Sequence, residues 1–170
     1  PMLKAGSLEE LGLDLSPSAN SFTYTFPPPY LALAGSTRDQ PRVIGNDDIC
    51  APDVTLYFHI PFCDSLCFFC GCNMLVTHNR TRIHQYVQYL KKELNLVKRH
   101  INKTRQVVQL HWGGGTPTSL NPDEILDLGD FLAKSFKFSN EAEKSCEIDP
   151  RELTRTHLEA LRSIGFSRVS

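Results

Sequence analysis

From Val54 onward the chain alternates between two hydrophobic periods, and this constrains its fold more than any other feature. VTLYFHI, residues 54–60, is β-branched and aromatic and is stopped by Pro61, which reads as a strand. Ile83, Tyr86, Val87, Leu90, Leu94, Val97 and Ile101 then recur at helical spacing. QVVQLHW, residues 106–112, is a second strand ended by three glycines, and Asn121-Pro122-Asp123-Glu124 is a helix start with a cap, an early proline and early acids. Ser145–Asp149 reads as a third strand stopped by Pro150. A helix capped by Thr154 and ended by Gly165 follows, and Phe166–Ser170 opens a fourth strand. Such βαβ repetition gives an α/β fold with a parallel sheet and right-handed crossovers. About three and a half βα units are present, where a closed eight-fold barrel needs roughly 250 residues. The expectation is therefore a partial barrel over 54–170 that continues past Ser170.

Residues 1–53 have a different character. Residues 1–54 hold seven of the eleven prolines, including Pro27-Pro28-Pro29. This stretch is expected to be an irregular arm rather than a domain. Pro-Pro-Pro-Tyr leaves open a ligand for a proline-reading module or a rigid loop packed on the body.

Four of the six cysteines, Cys63, Cys67, Cys70 and Cys72, crowd the loop behind the first strand; Cys50 and Cys146 stand alone. A disulfide scaffold spreads its cysteines along a short secreted chain, and the first residues lack the charged-then-apolar pattern of a secretory signal. The CxxxCxxC spacing of Cys63, Cys67 and Cys70 lies where parallel α/β folds place their sites, at the carboxyl end of a strand. Zinc sites usually combine two separated pairs, and no second pair exists here. Three thiolates on one loop suit an iron–sulfur cluster with one iron left for another ligand. A zinc knuckle using all four cysteines and a redox switch are the alternatives.

The string YFHIPFCDSLCFFCGC, with LHWGGGTPTSLN and EIDPREL following in order, resembles the oxygen-independent coproporphyrinogen III oxidase family of the radical S-adenosylmethionine (SAM) superfamily. The resemblance runs from about Thr55 to Ser170; YTFPPPY is only loosely similar to the family's N-terminal arm. It implies the first part of a radical SAM (β/α) barrel, with a four-iron–four-sulfur cluster held by Cys63, Cys67 and Cys70. It also implies SAM on the open iron and a 5′-deoxyadenosyl radical that starts decarboxylation of a substrate propionate. The reaction would be the oxidative decarboxylation of coproporphyrinogen III to protoporphyrinogen IX in haem synthesis, with electrons from an external one-electron donor. Tyr57 is implied beside the cluster and SAM, Phe69 against adenine, and Gly113, Gly114 and Thr116 at the methionyl end. Glu147 is implied at the ribose, and Cys72 as an extra cysteine outside the ligand set. Residues 1–170 alone are expected to be inactive. A relative that carries or degrades haem, and a non-enzymatic zinc module, are the rival readings; Gly71-Cys72 is an ending the haem-handling relatives usually lack.

Lys+Arg number 18 against 19 Asp+Glu, so the chain is not a strongly basic nucleic-acid binder. Residues 80–105 hold eight Lys and Arg with only Glu93 opposing. They read as a solvated helix face, and Tyr86 and Tyr89 are too few to argue base stacking. No apolar run approaches the ~18 residues of a membrane span. The expected location is the cytoplasm.

Overall fold

The computed structural model describes residues 53–68, 70–99 and 101–170. Phe69, and the arm apart from Asp53, lie outside the described residues. In chain order the elements are β1 (Val54–Ile60), β2 (Phe62–Cys63), β3 (Leu75–Val76), α1 (Arg80–Val97), β4 (Val107–Gly114), α2 (Pro122–Ser135), β5 (Phe138–Cys146), α3 (Arg155–Ser163) and β6 (Arg168–Val169), with a short 3₁₀ turn at Pro117–Ser119. The main sheet has the order β1-β4-β5-β6, and every pairing in it is parallel. Each long helix crosses from one strand to its neighbour. This is the expected α/β architecture of three and a half βα units.

Alternation sorts each strand into two faces. Leu56, Phe58, Ile60, Leu110, Trp112 and Cys146 are buried in one core with Ile83 and Val87 of α1, Ile125, Leu128 and Leu132 of α2, and Leu161 of α3. Trp112 is fully buried, with Phe166 edge-on to its ring at 4.9 Å. The opposite face carries Tyr57, His59 and His111.

The expected caps are where the sequence put them. Asn121 accepts from the Glu124 N–H at 2.8 Å while Glu124 Oε2 accepts from the Asn121 N–H at 2.9 Å. Thr154 and His157 make a second reciprocal box at the start of α3. Gly165, at φ +90°, takes the left-handed conformation that ends α3. Glu124 does a second job, because Arg80 at the head of α1 pairs with it and also donates to the Ser119 carbonyl.

Four expectations need correction. The third strand spans Phe138–Cys146 rather than Ser145–Asp149; its first seven residues are half-buried or exposed and carry no apolar alternation. The second strand runs on into the glycines as far as Gly114. α1 ends at Val97, before Ile101, where the Lys98 and Arg99 N–H groups turn back to Leu94 and Leu96. The basic face of α1 is not wholly solvated, because Lys91 reaches across to Asp127 of α2 and its side chain is only 14% exposed.

Glu124 links two helices and caps one of them. Glu124→Ala should lower the stability of the chain by about 2–3 kcal/mol, the sum of a lost cap and a lost charged hydrogen bond. Glu124→Gln keeps the acceptor for the Asn121 N–H and should cost only ~1 kcal/mol. Urea unfolding of the three proteins checks both values.

Candidate active site

The site is built where the carboxyl ends of β1, β4 and β5 lie side by side. The Cys63 loop leaves β1, and the glycine loop leaves β4. The two are tied by backbone bonds, with the Gly115 N–H donating to the Ile60 carbonyl at 2.9 Å and the Thr116 N–H to the Phe62 carbonyl at 2.7 Å. These bonds prolong the β1–β4 pairing past the end of both strands. They require glycine at 115, where a Cβ would lie 2.7 Å from the Phe62 carbonyl oxygen and 2.9 Å from Cys63 Sγ. The cysteine loop is closed at its base by the β2–β3 pair, with the Leu75 N–H on the Pro61 carbonyl (2.7 Å) and the Thr77 N–H on the Cys63 carbonyl (3.0 Å). That two-residue parallel pair carries no periodic signal in sequence.

Cys63, Cys67, Cys70, Cys72 and Cys146 are all free thiols. Cys63 is buried against the glycine loop, and the Thr116 hydroxyl donates to its sulfur at 3.5 Å. Cys67, Cys70 and Cys72 are exposed, and the Cys70 N–H closes on the Cys67 carbonyl at 3.2 Å. Burial, helped by the neighbouring Cys70 and Cys67 and opposed by Thr116, raises the Cys63 pKa; burial and Cys70 raise that of Cys72. A cation shared by the loop would reverse both effects, since it stabilises every thiolate at once. Cys146 is different. It is completely buried in the core, burial pushes its thiol far up, and it donates to the Glu147 carbonyl at 3.3 Å. Among the described residues no three His, Cys, Asp or Glu side chains converge on a single point.

Beside the thiols lies a polar chain on the open face of the sheet. His59 Nε2 lies 2.7 Å from the Asn73 carbonyl, which can only accept, so that nitrogen carries the proton and Nδ1 accepts from Tyr57 Oη at 3.1 Å. The Tyr57 ring stacks on His111, with centroids 5.8 Å apart and planes at 18°. His111 Nδ1 meets Ser145 Oγ at 2.8 Å, and its Nε2 faces Glu147 Oε1 at 3.5 Å. Glu147 Oε2 accepts from the Gly114 N–H at 3.0 Å. Gly113 permits this approach, since a Cβ there would sit 3.0 Å from Glu147 Oε2. Gly114, at φ +114°, lies directly on the His59 ring.

The structure therefore brings Tyr57, Gly113, Gly114, Thr116, Glu147, Cys63, Cys67 and Cys70 to one end of the sheet; Phe69 lies outside the described residues. The N–H groups of Gly114, Gly115 and Thr116 are all spent on the protein itself. The bare glycines are thus needed for the chain's own close packing as well as for any ligand. His111 and Ser145 were missed from sequence, although they stand two residues before Gly113 and Glu147 on the same strand face as Tyr57 and His59. That period-two relation across three strands was the available signal.

Burial works against a charge on Glu147, but the bonds from His111 and the Gly114 N–H outweigh it and hold the carboxyl below its ordinary 4.5. The lowered value means the charged form stabilises the fold at any pH above about that ordinary value. This contribution disappears as pH falls through the lowered folded-state value. Glu147→Gln should therefore be less stable than the parent at neutral pH, and the gap should close on acidification below 4.5. Thermal melts between neutral pH and pH ~2 measure it, and a pH-independent gap would show that the charge is not what holds Glu147.

A family model described as the radical SAM superfamily matches residues 57–170. The oxygen-independent coproporphyrinogen III oxidase of Salmonella typhimurium is 47% identical over 120 residues, covering 69% of this chain and 25% of that protein. The corresponding Helicobacter pylori protein is 42% identical over 118 residues, covering 69% of this chain and 26% of its own length. That of Cereibacter sphaeroides is 34% identical over 169 residues, 99% of this chain and 37% of the relative. Among solved structures, a coproporphyrinogen III oxidase from Escherichia coli described as a radical SAM enzyme superposes with a TM-score of 0.72 at 39% identity, over 80% of this chain and 31% of that one. The chain thus spans well under half the length of the relatives it matches. With the family model covering most of the chain and the sheet and loops agreeing with it, this chain belongs to the radical SAM superfamily, and within it is similar to the oxygen-independent coproporphyrinogen III oxidases.

Proposed function

We propose that residues 54–170 are the cofactor-binding part of an enzyme that decarboxylates coproporphyrinogen III to protoporphyrinogen IX without oxygen. The observation that carries this reading is the bonded junction of a three-thiol loop with a glycine loop, at the carboxyl ends of adjacent parallel strands. The family likeness supports a cluster and SAM as the groups such a junction would serve. Cys63, Cys67 and Cys70 would hold a four-iron–four-sulfur cluster. SAM would lie against Gly113, Gly114 and Thr116, with Tyr57, Phe69 and Glu147 around it. The donor set fits: the thiols are free and share one loop, and each ligand of a four-iron cluster bonds a different iron. When bound, the cluster and SAM supply one-electron cleavage of a sulfonium bond, and so a carbon radical able to take hydrogen from a substrate propionate.

The chain's own residues orient and shield. Thr116 donates to Cys63 and fixes the most buried thiol of the cysteine loop against the glycine loop. His111 and the Gly114 N–H hold one oxygen each of Glu147, and its side chain remains 43% exposed, so each oxygen keeps a lone pair for a ribose hydroxyl. Tyr57 is held by His59 and stacked on His111, which gives its ring one orientation at the mouth of the site. With the N–H groups of the glycine loop already used, a ligand there would meet carbonyl oxygens and uncovered glycine Cα atoms. The porphyrinogen substrate and an external one-electron donor complete the reading.

Anaerobic reconstitution with iron and sulfide tests it. The chain should take up ~4 iron with acid-labile sulfide. Cys63→Ala, Cys67→Ala and Cys70→Ala should each abolish uptake, while Cys72→Ala and Cys146→Ala should retain it. Equal loss on Cys72→Ala, or zinc in place of iron, would replace this reading with a structural four-thiolate site.

A further inference from the structure

Cys67 has a partner 84 residues away in sequence: Nη2 of Arg151 donates to its sulfur at 3.3 Å. Arg151 sits in the turn between β5 and α3, and Asp149 grips its guanidinium along one edge. Nε lies 3.0 and 3.1 Å from the two carboxylate oxygens, and Nη2 lies 2.6 Å from Oδ2. The Arg151 backbone N–H also donates to Asp149 Oδ1 at 2.9 Å, so backbone and side chain are fixed by the same carboxylate. Nη2 has two hydrogens. One serves Asp149, and the other is left pointing at the thiol. A guanidinium that merely braced the turn would need only the Asp149 edge.

We propose that Arg151, clamped by Asp149, is a positioning residue of the metal site: it fixes Cys67 and donates a hydrogen bond to its thiolate, which raises the reduction potential of the cluster. This rests on the reading of Cys63, Cys67 and Cys70 as cluster ligands. The physical ground is general. Adding one electron makes a cluster more negative, and hydrogen bonds to its sulfurs together with a nearby positive charge stabilise that state more than the oxidised one. The guanidinium stays charged at any working pH. Cys63 receives a neutral hydroxyl from Thr116 and Cys67 a charged donor from Arg151, so the two thiolates differ in electron donation. Asp149 prevents the fork from turning away, and a lysine could not be held in the same two-point grip.

The test is an anaerobic redox titration of the reconstituted chain with dithionite as the one-electron reductant, read by electron paramagnetic resonance. The proteins compared are the parent, Arg151→Met, Arg151→Lys and Arg155→Met. Arg155 pairs with Glu159 on α3 and makes a control for loss of one positive charge. Iron content and circular dichroism confirm loading and folding of each. Arg151→Met should hold the cluster at a more negative midpoint potential, Arg151→Lys should recover part of the fall, and Arg155→Met should match the parent. Loss of the cluster from Arg151→Met in a folded chain, with retention in Arg151→Lys, would equally support the contact with Cys67. Equal midpoints in the parent and Arg151→Met overturn the proposal while leaving the cluster reading intact. A parent chain that binds no cluster overturns both. A fall as large in Arg155→Met as in Arg151→Met would reduce the effect to net charge and overturn the proposal as well.

Discussion

Everything at this site depends on two backbone hydrogen bonds, Gly115 N–H to the Ile60 carbonyl and Thr116 N–H to the Phe62 carbonyl. They extend the β1–β4 pairing beyond the regular strands and so bring two loops from different βα units into one surface. Parallel strands make this possible, because every carboxyl end emerges on the same side. The contact is close enough that a side chain at position 115 would collide with the Phe62 backbone and the Cys63 sulfur. Cys63 is therefore held by the sheet itself, whereas Cys67 and Cys70 lie on the loop beyond it, Cys67 with Arg151 as a side-chain partner and Cys70 bonded through its backbone N–H to the Cys67 carbonyl.

The open face repeats this logic with side chains. Tyr57 and His59 from β1, His111 from β4 and Ser145 from β5 are brought together because every second residue of each strand points the same way. Their contacts pass from the Asn73 carbonyl through His59, Tyr57 and His111 to Glu147. By the same alternation the helix-covered face is apolar apart from Lys144, whose ammonium donates to the Ile164 carbonyl at 3.0 Å. One sheet thus separates the core from a polar surface with no element devoted to the boundary.

Much of this was legible in the residues. β1 matched its expected bounds because it is short, β-branched and ended by proline. The starts of α2 and α3 were fixed by side chains that supply the missing hydrogen bonds of a first turn. β5 resisted because Asn140, Glu141 and Glu143 are exposed and its register slips. Val107 pairs with Phe138 but Gln109 with Glu143, two steps along β4 against five along β5. A strand held by backbone pairing to β4, with little apolar burial, has no hydrophobic period to read. The cysteine spacing and the three glycines announced the site, and the resemblance assigned roles to its members. What stayed hidden were long-range pairs between ordinary residues. Arg151 on Cys67 and Arg80 on Glu124 leave no local trace, because an exposed arginine looks the same in sequence whether or not it has a partner.

The central claim is that Cys63, Cys67 and Cys70 hold three irons of a four-iron cluster and leave the fourth open to SAM beside the glycine loop. Mössbauer spectroscopy of the chain reconstituted with ⁵⁷Fe, recorded with and without SAM, tests it most directly. The account predicts a four-iron cluster in which one iron in four changes its isomer shift and quadrupole splitting on adding SAM, as nitrogen and oxygen ligands join its sulfur shell. Four irons that stay equivalent and unmoved by saturating SAM, in a folded chain, would contradict it.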